Sequence, residues 1–460
     1  MQMSTRTLLA LAIAGTSGPA LADSASQAFV PTQLKSSSAQ AEATGFVAGQ
    51  SLSGSTKNFF AQERTKRDTR FSIQKKDGTT ESTSLRETWT QGTIVNYTSG
   101  FTQGTLGLAA QVAAYNEVAL QQNHDRIAGG GNRTLTHADG DAVGQWSKLG
   151  LANLQARVSN TTITAGRQNM NTPMIATIGN RALPSSFEGL SVHSAEFNNL
   201  SFDAGTFDRV SPRTEQSLTR FVSEYGNRAV STDHVSTAGV TYKPMESLET
   251  SFYATQAKDF WNQYYFGLTH DLGDPNSLAL NTAFNYYKTR DEGSAKLGAI
   301  DNDTYSLALT LTHGAHSVMV GWQQVDGNEY FDYLHETNGI FLANSLLSDF
   351  NGPNEKSLQF GYLLNMAEYG VPGLKFNVYT ARGWGIDGTH YTGTGYGNLS
   401  NLDGETHYEY GFGTAYTLQS GALKGSSVRA TYTAHRASAN QADGSLNELR
   451  VVTTVPFNIL

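Results

Sequence analysis

The stretch TYSLALTLTHGAHSVMVGWQQV, residues 304–325, decides the fold. Tyr305, Leu307, Leu309 and Leu311 alternate with Ser306, Ala308, Thr310 and Thr312. Beyond HGAH, Val318, Val320 and Trp322 alternate with Ser317, Met319, Gly321 and Gln323. A period of two belongs to extended chain, with successive side chains on opposite faces. HGAH reads as a short hairpin connection, with glycine available for positive φ. One face of this hairpin is therefore oily and the other small and polar, and the oily face needs a medium to bury itself in.

Composition narrows that medium. Only 38% of the 460 residues are hydrophobic, and beyond the N-terminus no apolar run is long enough for a membrane helix. Cysteine is absent, which excludes a disulfide scaffold and thiolate metal sites. A net charge of −8 argues against nucleic acid as a partner. The N-terminus supplies a compartment. MQMSTR is followed by the apolar TLLALAIAG and a small-x-small ALA at 20–22, the pattern of a secretory signal cleaved after Ala22. Residues 23–44, rich in Ser, Ala and Gln, read as a mobile periplasmic lead-in to a single domain over 45–460.

The alternation recurs throughout. In 277–287, Leu278, Leu280, Phe284 and Tyr286 stand against Asn281, Ala283, Asn285 and Tyr287. In 357–366, Leu358, Phe360, Tyr362, Leu364 and Met366 stand against Ser357, Gln359, Gly361 and Asn365. In 407–418, Tyr408, Tyr410, Phe412, Tyr416 and Leu418 stand against His407, Glu409, Gly411, Gly413 and Ala415. A soluble sandwich also alternates, but its wet face carries Lys and Glu. Here the polar strips are rich in Gly, Ala, Ser, Thr and Asn and poor in Lys and Glu, and the apolar strips often end in Tyr or Trp. That suits an all-β transmembrane barrel, with lipid outside, an aqueous lumen inside and aromatic residues at the membrane interfaces.

Connection lengths agree. Short links fall near 98–101, 159–161, 197–200, 243–247, 272–277, 312–316, 369–372 and 419–425. Links of the other series fall near 64–85, 117–146, 169–186, 211–233, 258–261, 289–302, 326–355, 385–404 and 437–444, the fifth of them brief. The two series alternate, as tight periplasmic turns and outer loops do, and imply about eighteen antiparallel strands. A barrel of ~16–18 strands leaves an aqueous channel.

Longer motifs then become legible. YGVPGLKF (369–376), IFLANS (340–345), SDFNGPNEKS (348–357), QYYFGLTHDL (263–272), TRDEGSAKLG (289–298) and NELRVVTTVPFNIL (447–460) resemble the OprD family of outer-membrane porins. The resemblance covers 44–460. It implies a Gram-negative outer-membrane channel, monomeric or a weak homotrimer. Such a channel passively takes up small carboxylated nutrients along a ladder of basic residues, through a pore pinched by inward-folded loops. No cofactor or metal is expected, and the partners are the solutes and outer-membrane lipid. Asn338 and Gly339 stand where relatives favouring basic amino acids carry more acid, which leans the reading towards cyclic or aromatic carboxylates. Uptake of basic amino acids or peptides stays open as an alternative.

Strand parity places three arginines inward without the family. Val428, Ala430, Tyr432 and Ala434 form a lipid strip, so Arg429 and His435 face the lumen. Leu449, Val451, Val455 and Phe457 do the same for Arg450, and Leu154, Ala156 and Val158 for Arg157. An arginine towards the bilayer midplane costs ~2–4 kcal/mol. Pairing with acids inside the wall is the competing role for each. The resemblance adds Lys57, where the family often has arginine, and Arg181, in the connection that the family folds into the pore. It also adds Arg382, which lies off the lumen face of its own strand, and Asp349 as an acid facing the basic side. Thr431 and Tyr379 occupy places where relatives carry arginine, which thins the ladder. Catalytic residues are not expected, since neither a nucleophile-elbow glycine pattern nor HExxH occurs, although barrel hydrolases exist. The acid pairs at 139–141 and 301–303 lack the spacing of a calcium loop and read as turn chemistry.

Overall fold

The computed structural model describes residues 27–67, 69–75, 79–122, 127–128, 135, 143–397 and 399–460. The expected signal segment, its expected cleavage point after Ala22 and the 139–141 acid pair lie outside the described residues. Eighteen antiparallel strands, from Ser51–Thr65 to Leu446–Asn458, close into one sheet. Each pairs with its neighbours along the chain, and the last returns to the first in register Ser53↔Asn458 to Thr65↔Leu446. Closure gives every strand two hydrogen-bonded neighbours, which a hydrocarbon surround demands. A small three-stranded sheet, Phe71–Lys75, Thr80–Thr83 and Ile127–Ala128, forms outside the barrel wall from two of the long connections.

The 304–325 stretch behaves as its alternation predicts. Asp301–His313 and His316–Asp326 pair from Asp303↔Asp326 to His313↔His316, leaving a two-residue loop. Gly314 takes φ 53° at the first loop position, where a type II′ hairpin needs glycine. Leu309, Leu311 and Val318 are 40%, 46% and 51% exposed, whereas Thr304, Ser306 and Gln323 are fully buried. This is a soluble protein's pattern turned inside out. The oily face is the outer face of the barrel, so its medium is lipid. Aromatic residues edge that face at both ends. Trp322 meets Trp384 edge-on near the long connections, and His316 sits between Tyr362 and Tyr369 near the short ones.

The apolar core lies inside the barrel, towards the long-connection end. Met174, Ile175, Phe221, Phe331, Leu334, Ile340, Leu342, Tyr396 and Leu399 come from four connections and pack on Phe187, Phe207, Trp261 and Tyr287 of the wall. At the other end, Val30, Lys35 and Gln40 of the expected lead-in are hydrogen-bonded to successive short turns. Val30 N–H donates to the Pro244 carbonyl (2.6 Å), Lys35 N–H to Glu196 (2.8 Å) and Gln40 N–H to Ser159 (3.0 Å).

Candidate functional site

Parity holds for the three inward arginines. Val428 and Tyr432 are exposed while Thr433 and His435 are buried, and Arg429 shares the buried face. Leu449 is exposed and Glu448 buried, on the face of Arg450. Leu154 and Val158 are exposed and Asn153 buried, on the face of Arg157. The three do not form one cluster. Arg157 ends its strand at the short-turn mouth, its guanidinium 3.8 Å from the Phe101 ring centroid and its Nε donating to Gln40 Oε1 (3.0 Å). Gln40 itself donates to the carbonyls of Thr102 and Gly104, so Arg157 is built into the seat of the lead-in.

Arg429 and Arg450 stand together on adjoining strands. Arg450 contacts Glu448 at 2.8 Å and lies over the Phe59 ring. Arg429 feels Arg450 and Glu448, and Lys57 feels Arg429 and Glu117. Glu117 in turn feels Lys148, Arg181 and Lys57. Five cations therefore share one electrostatic neighbourhood with Glu448 and Glu117, and Lys148 also feels Glu336 and Glu215.

Lys57 has a definite structural task. Its Nζ donates to the carbonyls of Gly179 and Arg181, both at 3.1 Å, and so caps the 169–185 connection inside the barrel. The same connection rests on Gly92, where a Cβ would come within 2.8 Å of the Ala182 carbonyl oxygen. Arg181 is thereby held on the lumen side, within the field of Glu117 and Glu336.

Two further connections, 212–234 and 327–355, are locked by an ion pair. Arg213 Nε and Nη2 donate to the two oxygens of Glu336 at 2.7 and 3.1 Å, and the Arg213 backbone N–H adds a third bond at 2.9 Å. Its Nη1 reaches Asn180 Oδ1 (2.5 Å), which joins the 169–185 connection to the same knot. Burial opposes ionisation of Glu336, yet the guanidinium beside it holds the carboxyl well below the usual range.

Asp349 belongs to a neighbouring nest. Its carboxylate accepts from Tyr225 Oη (2.7 Å), Tyr333 Oη (2.8 Å) and Ser345 Oγ (2.5 Å), and burial raises its pKa. Asp332 accepts from the Tyr333 and Tyr225 N–H groups and from Tyr396 Oη, and burial pushes it up to about 6.

The outer membrane porin profile of the OprD family matches residues 44–459. The chain belongs to the OprD family of outer-membrane porins. Porin D of Pseudomonas aeruginosa is 36% identical over 434 residues, 92% of this chain and 94% of that one. The porin-like protein GalP of Pseudomonas putida is 27% identical over 92% of this chain and 95% of its own length. Among solved structures, OccD3 (OpdP) of Pseudomonas aeruginosa superposes with a TM-score of 0.80 at 46% identity, covering 96% of this chain and 97% of that one.

For this OprD-family porin, one expected ladder residue leaves the pore. Arg382 is exposed on the outer face of Leu374–Asp387, while its neighbours Ala381 and Gly383 are buried. It pairs across to Leu358 and Tyr408, at the loop end of the wall. A long side chain there reaches the interface with its charge, so its parity outranks the family position. The acid expected to face the basic side, Asp349, has its carboxylate occupied by three hydroxyls of the loop nest. Thr431 faces the lumen opposite Arg450, and Tyr379 donates to Glu409 Oε1 at 2.5 Å. The 301–303 acids, expected as turn chemistry, instead open the strand Asp301–His313 and meet basic side chains, Asp303 those of Lys288 and Arg290, and Asp301 that of Arg290. Lys148, Glu117, Arg213 and Glu336 were missed. Lys148 and Glu117 stand on alternating strands and were open to the same parity argument. Arg213 and Glu336 lie in loops, where no periodicity assigns a face.

Proposed function

We propose that this porin passively admits small carboxylated nutrients, and that the wall of Arg429, Arg450, Lys57 and Arg181 is their path through the narrow part. The carrying observation is Arg429 beside Arg450, two like charges on the lumen face next to the carboxylate of Glu448. A solute carboxylate entering there exchanges hydration for charge-assisted hydrogen bonds. Several such groups in series bind weakly enough to release. Arg157, at the short-turn mouth, is then the exit contact. Cyclic and aromatic carboxylates are the substrates this reading favours. Glu117 and Glu448 within the wall support a second reading, a solute carrying an ammonium group as well, such as an amino acid or short peptide.

The test is single-channel reversal potential in a salt gradient, with labelled uptake of carboxylates, their uncharged amides and amino acids. The Arg429→Gln/Arg450→Gln double variant should lose anion preference and slow carboxylate uptake while still running as a heat-modifiable barrel. Faster uptake of amino acids than of simple carboxylates selects the second reading. A folded double variant indistinguishable from wild type in both measurements removes the wall from the path.

A further inference from the structure

A second cluster, at the loop end of the wall, is not used by the pore. His407 of Asp403–Thr417 and His435 of Ser427–Ala437 are each 1% exposed. His407 Nδ1 lies 2.8 Å from His435 Nε2. Both outer nitrogens are anchored. His435 Nδ1 is 2.6 Å from the Gly444 carbonyl, and His407 Nε2 is 2.5 Å from Glu355 Oε1. A carbonyl only accepts, so the proton of a neutral His435 sits on Nδ1 and Nε2 offers a lone pair. The Glu355 carboxylate, whose other oxygen accepts from Gly352 N–H at 2.8 Å, fixes the His407 proton on Nε2 in the same way. Two imidazole lone pairs then converge on one point, which a shared proton or a metal ion would satisfy.

The surroundings match a metal centre. Asp443 brings a carboxylate oxygen so that its ligand atom and those of the two histidines all lie within 4.8 Å of one another. Ser348 Oγ donates to Asp443 Oδ2 at 2.6 Å and stands 3.4 Å from His407 Nδ1. Phe350 stacks on the His407 ring, centroids 4.2 Å apart, and makes a dry wall. A histidine that ligates a metal typically donates its other N–H to a carboxylate or backbone carbonyl, and both arrangements are present. Zinc holds nitrogen at ~2.0–2.1 Å, so tetrahedral ligand nitrogens stand about 3.3 Å apart and the two rings need part by only about 0.5 Å. Two imidazoles with one carboxylate suit zinc, nickel or copper, whereas magnesium and calcium prefer all-oxygen shells.

We propose that His407, His435 and Asp443 bind a divalent ion of the zinc class, with Glu355 and the Gly444 carbonyl orienting the imidazoles. The ion would clamp the 327–355 connection, through Ser348, Phe350 and Glu355, and the 438–445 connection to the barrel wall.

The experiment titrates tag-free, full-length porin in detergent with Zn²⁺ against a chromophoric chelator. One ion per chain is expected, undisturbed by equal concentrations of Ca²⁺ or Mg²⁺. His435→Gln and Asp443→Asn should each weaken binding at least tenfold, and Glu355→Gln about 10–100-fold through the lost orientation of His407. Co²⁺ should give the visible absorption of a tetrahedral site, lost in His435→Gln. Asp443 is the accessible member, on an outer connection, so Asp443→Asn decides if a histidine variant fails to fold. Absence of stoichiometric Zn²⁺ binding, with the histidines sharing only a proton, overturns the proposal. So does wild-type affinity in a folded Asp443→Asn variant, or equal binding of Ca²⁺.

Discussion

The basic wall and the loop knot use the same charged groups to opposite ends. On the wall, Arg429 and Arg450 stand side by side next to Glu448, like charge against like charge. In the knot, Arg213 faces Glu336 through two side-chain bonds and a backbone bond. In the nest beside it, Asp349 meets three hydroxyls. An under-compensated cation on a lumen wall attracts a passing anion. A matched and buried one has no field left to offer and holds the connections that shape the pore. Under the proposed function, the setting of each charge and not its residue type separates the groups that meet solute from those that hold the loops.

The largest effect should come from breaking the knot. Arg213→Ala leaves Glu336 buried without its partner, a loss of about 3–5 kcal/mol. The barrel should stay heat-modifiable while the inner connections undock, seen as higher conductance and faster loop proteolysis. Unchanged conductance and proteolysis would place the loop anchor elsewhere. The pH dependence follows the same pair. Because the Glu336 carboxyl is held below its unfolded value, its contribution is complete above the ordinary carboxylate range and is lost only as pH falls through the depressed value. Loop protection from protease at pH 5 should therefore equal that at pH 7 as far as this pair is concerned.

A smaller effect should come from the residue that belongs to both regions. Lys57→Met removes the cap on the Gly179 and Arg181 carbonyls, about 1.5–3 kcal/mol of docking for the 169–185 connection. Arg181 should then lose its fixed place, and single-channel records should show added current noise together with weaker anion preference. Weaker preference without added noise would make Lys57 a wall charge alone. The smallest effect tests the outer face. Arg382→Gln should leave reversal potential and carboxylate uptake at wild-type values, and a measurable change in either would return Arg382 to the pore.

The site was legible in the sequence to the extent that it rides on strands. Arg157, Arg429 and Arg450 were placed correctly because an alternating strand has only two faces and lipid rejects charge from one of them. The same rule puts Arg382 outside, against the family position. Asp349 and Lys57 show where the reading stopped. Each carries a charge at a suitable position, but whether that charge is spent on a loop depends on tyrosines and carbonyls more than 100 residues away for Tyr225 and for Gly179. Arg213 and Glu336, which meet across 123 residues, carried no local signal at all.

By itself the sequence determined the closed sheet of eighteen strands, the order of its turns and loops, and which side chains meet lipid. The physical reason is that a pleated strand has period two and hydrocarbon tolerates neither unpaired backbone nor exposed charge. Only the tertiary structure decided which inward charges stand side by side on the wall and which are matched within the loops. It also decided how four connections fill the barrel and how His407 and His435 come to face each other. Those outcomes depend on side chains from distant loops meeting in one buried volume, where each hydrogen bond is directional and no periodicity in the chain encodes its partner.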